Sequence, residues 1–200
     1  MPADPPPAAP PHLVCWRRLD RPGHEAARLE PRGAGWRLSG TAVLSYDGRP
    51  CALAYAVELG EAWRTRAGAV EGWVGERAVA VRPADGAGRW WRDGAECAAV
   101  AGCVDVDDGF SPSTDLLLVR RLALAVGGAA PVRAAWLGFP DLTFGPLERS
   151  YRRVGPRAYV YESAGGAFRA DLVVDDHGMV ARYGDLWVAE PGGGTASRIT

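Results

Sequence analysis

The sequence predicts a mainly β fold: a strongly curved antiparallel sheet, or a partly closed barrel. Three observations carry this. Large apolar residues alternate with small or polar ones in many short runs, Asp-Gly and Gly-rich turns separate those runs, and no long amphipathic helices alternate with them. Many strands with short connections favour a sheet that curls or closes on itself.

In chain order, residues 1–11 (MPADPPPAAPP) read as a disordered Pro/Ala tail, residues 12–190 as one antiparallel β domain, and residues 191–200 as a flexible C-terminal tail. Trp36 to Tyr46 alternates as a strand, and Asp47-Gly48 supplies the hairpin turn. Pro50 to Leu59 returns, with Leu53, Tyr55, Val57 and Leu59 on one face. Trp63 to Val74, Arg77 to Arg82, and the tight pair Gly88–Trp91 and Ala95–Cys97 around Asp93-Gly94 continue the meander. Trp90 and Trp91, adjacent on a strand, point to opposite faces. Ser113 to Ala125 reads as helical by leucine spacing or as extended by context. Pro131–Leu137, Leu142–Leu147, Ser150–Val154, Tyr159–Glu162, Phe168–Val174, Met179–Tyr183 and Leu186–Val188 read as short strands. Asp175-Asp176-His177-Gly178 reads as a turn with glycine where positive φ is needed.

The 23 basic and 24 acidic side chains nearly cancel, which argues against a protein that binds nucleic-acid backbone. No run approaches the ~18 apolar residues of a membrane helix. The N-terminus has neither a basic n-region nor an apolar h-region, so a cytoplasmic location with reduced thiols is expected for Cys15, Cys51, Cys97 and Cys103. The three histidines and four cysteines show no zinc-site spacing, and no metal or other cofactor is expected. Monomer and homodimer both remain open.

No enzyme hallmark is present: no serine sits in a GxSxG elbow, and there is no phosphate loop or dinucleotide fingerprint. His177 sits in a turn, where a solvated histidine is the simpler reading than a triad base. The sharpest charged feature is Asp105-Val-Asp107-Asp108, which runs into the bend Gly109-Phe-Ser-Pro112. On a strand Asp105 and Asp107 share a face, where they bind turn amides, pair with Arg120 or Arg121, or hold a ligand. An arginine fork suits rigid bidentate contacts to an acid or to an anionic or polyhydroxyl ligand.

The stretch Gly102-Cys-Val-Asp105-Val-Asp107, then Ser111-Pro-Ser-Thr114-Asp115, then Val119-Arg120-Arg121-Leu122, resembles a family known as bacterial "putative glycolipid-binding" proteins. Weaker matches follow in order along the chain: Trp16, Trp36-Arg-Leu-Ser-Gly40, Tyr55, Trp63-Arg-Thr65, Trp90, Pro140-Asp-Leu142, Tyr151, Tyr159 with Tyr161, Phe168-Arg-Ala170 and Tyr183. The resemblance implies a curved antiparallel sheet similar to lipoprotein-carrier folds, and a glycolipid or other amphiphile as partner, bound without covalent chemistry. It implies a polar centre of Asp105, Asp107, Thr114, Arg120 and Arg121, and an apolar pocket walled by aromatics, with Trp63, Trp90, Tyr151 and Tyr161 as candidates. Four positions depart from the family's pattern. Ser111 replaces Thr, Asp115 replaces Asn, Leu118 replaces Pro, and Arg149 stands where Gln is expected. Asp115 joins the candidate ligand contacts, and a pair between Asp115 and Arg149 is one consequence of these changes.

Three functions follow: an amphiphile carrier; a hydrolase or lyase in which Asp105, Asp107, Arg120 and Arg121 converge in one cleft; or an interacting β domain with a large exposed apolar patch.

Overall fold

A computed structural model describes residues 9–192 apart from positions 83, 87 and 93, with nothing of the side chains at 83–87. The expected tails therefore lie largely outside the described residues, as does Asp93 of the expected Asp93-Gly94 turn.

The N-terminal strands are β1 (His12–Arg18), β2 (Gly23–Arg32), β3 (Gly35–Tyr46), β4 (Arg49–Leu59), β5 (Thr65–Val74), β6 (Arg77–Val81), β7 (Ala84–Gly86), β8 (Arg89–Arg92) and β9 (Ala95–Glu96). A short strand β10 (Val106–Asp108) and the helix α1 (Asp115–Leu122) follow. The chain then forms β11 (Ala129–Gly138), β12 (Thr143–Arg153), β13 (Ala158–Ser163), β14 (Phe168–Val174), β15 (Val180–Tyr183) and β16 (Trp187–Ala189).

All sixteen strands belong to one sheet. Its path runs from β10 through β11 to β16, crosses to β1, and continues through β5 to β7, β8 and β9, with β6 paired to β5. The antiparallel β1–β16 ladder (Trp16 opposite Ala189) joins the two meanders. The expectation of a strongly curved sheet or partly closed, barrel-like structure is overturned. The path is open, its terminal strands β10 and β9 make no ladder with each other, and the sheet neither closes nor curls strongly. The reason is local. β9 has two residues and β10 three, and at Gly109 the chain leaves the sheet for the Ser-Pro turn and α1. The free side of β10 is satisfied by Thr65, whose Oγ1 accepts the Val106 N–H at 3.1 Å.

One ladder is parallel: β10 pairs with β11, Asp107 opposite Trp136. Parallel neighbours need a crossover, and α1 is that crossover. Its Leu116, Leu117 and Leu118 are fully buried, so it is a core helix covered on nearly all sides. Arg120 and Arg121 close it at the C-terminal end, where cations favour the helix dipole.

The hairpin between β3 and β4 forms as the Asp47-Gly48 pair dictates, both residues at positive φ (48° and 72°). Leu53, Tyr55, Val57 and Leu59 of β4 all point into the core. The core is one contiguous cluster fed by both meanders and α1, anchored by Trp16, Leu38, Phe110, Leu137 and Leu172. Trp90 lies wholly inside it, and its indole N–H donates to the Cys103 carbonyl at 2.8 Å; Trp91 is half-buried and faces Arg89. Among the described residues, no helix is long and apolar enough to cross a membrane.

Gly72, in the middle of β5, has φ 142°, and a Cβ there would stand 2.0 Å from the Ala52 carbonyl oxygen. Gly72→Ala is expected to cost about 2 kcal/mol or more of stability. Gly145→Ala, where a Cβ meets nothing within 4 Å, is expected to stay within about 0.5 kcal/mol. Urea denaturation of the two variants checks this; equal midpoints would contradict the close approach.

Candidate functional site

Where β10 meets β12 and α1, an arginine sits among carboxylates. Arg149 comes from β12, where Glu148 faces out and Arg149 faces in by simple alternation. Its Nη1 donates a short hydrogen bond to Asp107 Oδ2 and lies 3.6 Å from Asp115 Oδ1. The pair that the family departures left open, Asp115 with Arg149, is thus present. Tyr151, two residues along the same face, donates its hydroxyl to Asp115 in another short bond. The guanidinium also lies over the rings of Tyr151 and Tyr161, 5.5 and 6.0 Å from their centroids. Arg149 Nε and Nη2 are buried and have no hydrogen-bond partner.

The electrostatics follow from burial. Burial pushes the Asp115 carboxyl up to about 6, against the opposing pull of Arg149. Asp107 is also raised, burial outweighing the attraction of Arg149. Arg149 itself stays charged, because Asp107, Tyr151 and Asp115 outweigh its desolvation. Asp108 is pushed up to about 8 by burial and by the neighbouring charges of Asp107 and Glu25, and neither of its carboxyl oxygens has a partner. Glu25, from β2, is raised by burial to about 7. Its Oε1 accepts from Tyr55 and from Ser111, each at 2.6 Å. Ser111 in turn lies 2.7 Å from Ser113 Oγ, and Thr114 Oγ1 accepts the Asp108 N–H at 3.3 Å. Thus the Ser111–Asp115 turn stitches β2, β4, β10 and α1 together through hydroxyls and acids.

A cleft of about 370 Å³ opens on this cluster. Its polar lining is Asp107, Asp115, Arg149, Arg18, Ser111, Ser163 and Tyr183. Trp136, Leu147, Tyr161, Phe168, Leu186 and Trp187 line it as well. Tyr161 packs edge-on against Tyr151, Phe168 and Tyr183 at 5.3, 5.7 and 5.5 Å, so it is the hub of an aromatic cluster. Arg149 fills the space between Asp107 and Asp115, where a cation would otherwise sit.

The residues singled out from the sequence divide into groups. Asp107, Asp115 and Tyr161 line the cleft, while Tyr151 and Thr114 support it through the bonds above. Asp105 is fully buried and held by Arg121 in a bidentate pair, Nε–Oδ1 3.0 Å and Nη2–Oδ2 2.5 Å. Arg120 lies over Trp63 at 4.8 Å, and both line a second cleft of about 440 Å³ with Arg153 and Tyr159. Trp90 is a core residue. Asp105, Asp107, Arg120 and Arg121 therefore do not converge in one cleft. Sequence reading passed over Glu25, Asp108, Tyr183, Trp136 and Trp187 as site residues. Arg149 stood out only as a departure from the family pattern.

The model of the family described as "Putative glycolipid-binding" matches residues 13–189. Among solved structures, the chain is similar to the crystal structure of a DUF1089 family protein from Pseudomonas aeruginosa. The TM-score is 0.72 at 28% identity, over 80% of this chain and 88% of that one. No curated protein matches. The family match spans nearly every strand of the sheet, from β1 to β16, and with it the whole Arg149 cluster: the chain belongs to the "Putative glycolipid-binding" family.

Proposed function

We propose that the protein binds an amphiphile of the glycolipid type in the Arg149 cleft, without covalent chemistry, acting in the cytoplasm. The observation that carries this reading is that one cleft is lined both by an acid–arginine–hydroxyl set and by large aromatic and aliphatic side chains. Ligand sites are commonly built so, with an apolar surface for the body of the ligand and a few fixed polar groups for its orientation. The polar groups suit hydroxyls. Asp107 and Asp115 accept hydrogen bonds, and the hydroxyls of Ser111, Ser163 and Tyr183 both donate and accept. Arg149 lines the cleft, with its Nε and Nη2 buried and unbonded. Family membership supports the same ligand class, and four free thiols fit a reducing compartment.

Dodecyl maltoside below its micelle concentration is a direct probe. Saturable quenching or shift of tryptophan fluorescence is expected, since Trp136 and Trp187 line the cleft. Trp136→Ala and Phe168→Ala, both at partly exposed positions (37% each), are each expected to weaken binding about tenfold while leaving the circular dichroism unchanged. Absence of saturable binding to the wild type, or equal binding by both variants, would sink the proposal.

Arg149→Gln alone strands Asp107 beside a neutral amide. It is expected to cost about 3 kcal/mol of stability, most of it regained when Asp107→Asn is added. A double-mutant cycle by urea denaturation measures this; purely additive losses would show that the two side chains are not energetically coupled.

The raised acids also set a pH dependence. Asp115, Glu25 and Asp108 sit near 6, 7 and 8 in the folded protein, above the ordinary carboxylate range they take when unfolded. The folded state therefore holds more protons than the unfolded one between about pH 4 and about pH 8, and unfolding free energy falls as pH rises through that window. The urea midpoint is expected to drop from about pH 5 to about pH 8; a flat or rising midpoint would contradict the buried-acid assignment.

A further inference from the structure

Beyond the cleft, the fold assembles a second cluster from opposite ends of the chain. His12 opens β1, while Asp175 and His177 lie in the turn between β14 and β15. We propose that these three side chains form a binding site for a first-row divalent cation such as Zn²⁺.

The geometry is built from the carboxylate outward. Asp175 Oδ1 accepts the backbone N–H groups of His177 and Met179, each at 2.9 Å. These two bonds fix the carboxylate and turn Oδ2 toward His12, whose Nε2 stands 2.6 Å away. The His177 ring stacks on His12, centroids 3.8 Å apart and planes 16° from parallel. One ligand atom from each residue falls within a 4.8 Å set, the one such group of three among the described residues.

Two imidazoles and a carboxylate are the donor set that zinc, cobalt and nickel prefer over magnesium or calcium. Backbone amides hold Asp175 as supporting groups hold a ligand in a metal site. Three protein donors leave a coordination position open for water or a fourth ligand. That position faces a cleft of about 360 Å³ walled by Leu13, Val14, Val180 and Ala189, with Glu190 on its rim. Glu190 is held by Arg17 at 2.8 Å.

Coordination sets a definite movement. Metal–ligand bonds of about 2.0–2.2 Å place donors roughly 3.3 Å apart, so His177 closes by up to about 1.5 Å. An imidazole binds a metal in its ring plane, so His177 rotates out of the stack. Its exposed place on the turn permits this, while His12 is half-buried on its strand. The site shares no lining residue with the Arg149 cleft, so it stands or falls apart from amphiphile binding.

The test uses the full chain without an affinity tag, titrated with Zn²⁺ by calorimetry and with Co²⁺ by visible absorption. One ion per chain is expected, with d–d bands for Co²⁺ and a raised melting temperature in Zn²⁺. His177→Ala, which removes an exposed ring, is expected to weaken Zn²⁺ binding about tenfold or more. His24→Ala, the remaining histidine, should bind as the wild type does. If the His12–Asp175 contact is only a latch between β1 and the turn, His12→Ala lowers the melting temperature but Zn²⁺ shifts neither protein. That result, or Zn²⁺ binding that survives both His12→Ala and His177→Ala, overturns the proposal.

Discussion

The interior is organised around a charge that cannot leave it. Arg149 projects from β12 under Tyr151 and Tyr161, with Asp107 of β10 and Asp115 of α1 as its counter-charges. Three elements of separate origin meet at this one guanidinium. Desolvating such a group costs several kcal/mol, and only close, well-directed partners offset it. The position of β10 is therefore tied to that of α1. β10 has three residues and one ladder, too little hydrogen bonding to hold an edge strand by itself. The Asp107 contact on one side and the Thr65 contact on the other supply what the ladder lacks.

The same constraint explains why acids crowd this region without a cation. Asp105 has its own arginine, Arg121, from the last turn of α1. Asp107 and Asp115 share Arg149, whereas Asp108 and Glu25 have no basic side chain bonded to them. The last two meet the low-dielectric interior by holding protons, which is the cheaper state for a buried carboxyl without a counter-charge. The helix and the short parallel strand are thus fastened by ion pairs, and the seam toward β2 by neutral hydrogen bonds through Tyr55 and Ser111. The two kinds of fastening differ in pH sensitivity, and the seam is the part that weakens on deprotonation.

Much of the sheet was legible in the sequence, and the failures have physical causes. β14 was read with its observed ends, and β3, β4 and their turn within a residue, because each buries one face and alternates cleanly. β1 and β2 were missed: β2 buries Glu25 and Ala27 beside Leu29, so polarity hides its inner face. β12 was read as two strands, Leu142–Leu147 and Ser150–Val154, since the charged pair Glu148-Arg149 interrupts the apolar pattern, yet one of that pair points out and the other into the core. α1 was ambiguous since three consecutive leucines, Leu116 to Leu118, are all buried, which blurs the period of its apolar face. The parallel ladder had no local signature at all. Neither did the pairing of His12 with Asp175, which sequence distance conceals and the β1–β16 junction creates. Of the site, acids and aromatics were visible as residue types. Their sorting into a cleft, a core and a separate Arg120–Trp63 pair depends on where the open sheet ends.

Arg149 carries the last step of the argument. A glutamine, the residue expected at this position from the family resemblance, would bring no charge and need no carboxylate partners; the arginine brings a charge, takes two carboxylate partners and still leaves Nε and Nη2 unfilled. Each buried, unmatched donor costs about 1–3 kcal/mol, and the faces of Tyr151 and Tyr161 repay only part of that. Nε and Nη2 form the side-on fork of a guanidinium, the same fork that Arg121 closes on Asp105. Such a fork takes a pair of oxygens, as a carboxylate or phosphate presents them, and vicinal hydroxyls of a sugar offer a neutral pair. The neighbouring Asp107 and Asp115 would repel a second anion, so the charge balance also favours a neutral polyol over a phosphate or carboxylate. An uncharged sugar would offer hydroxyls to the acids and hydroxyls of the cleft and a face to its aromatic side chains, whereas the carboxylate of a simple fatty acid would meet Asp107 and Asp115.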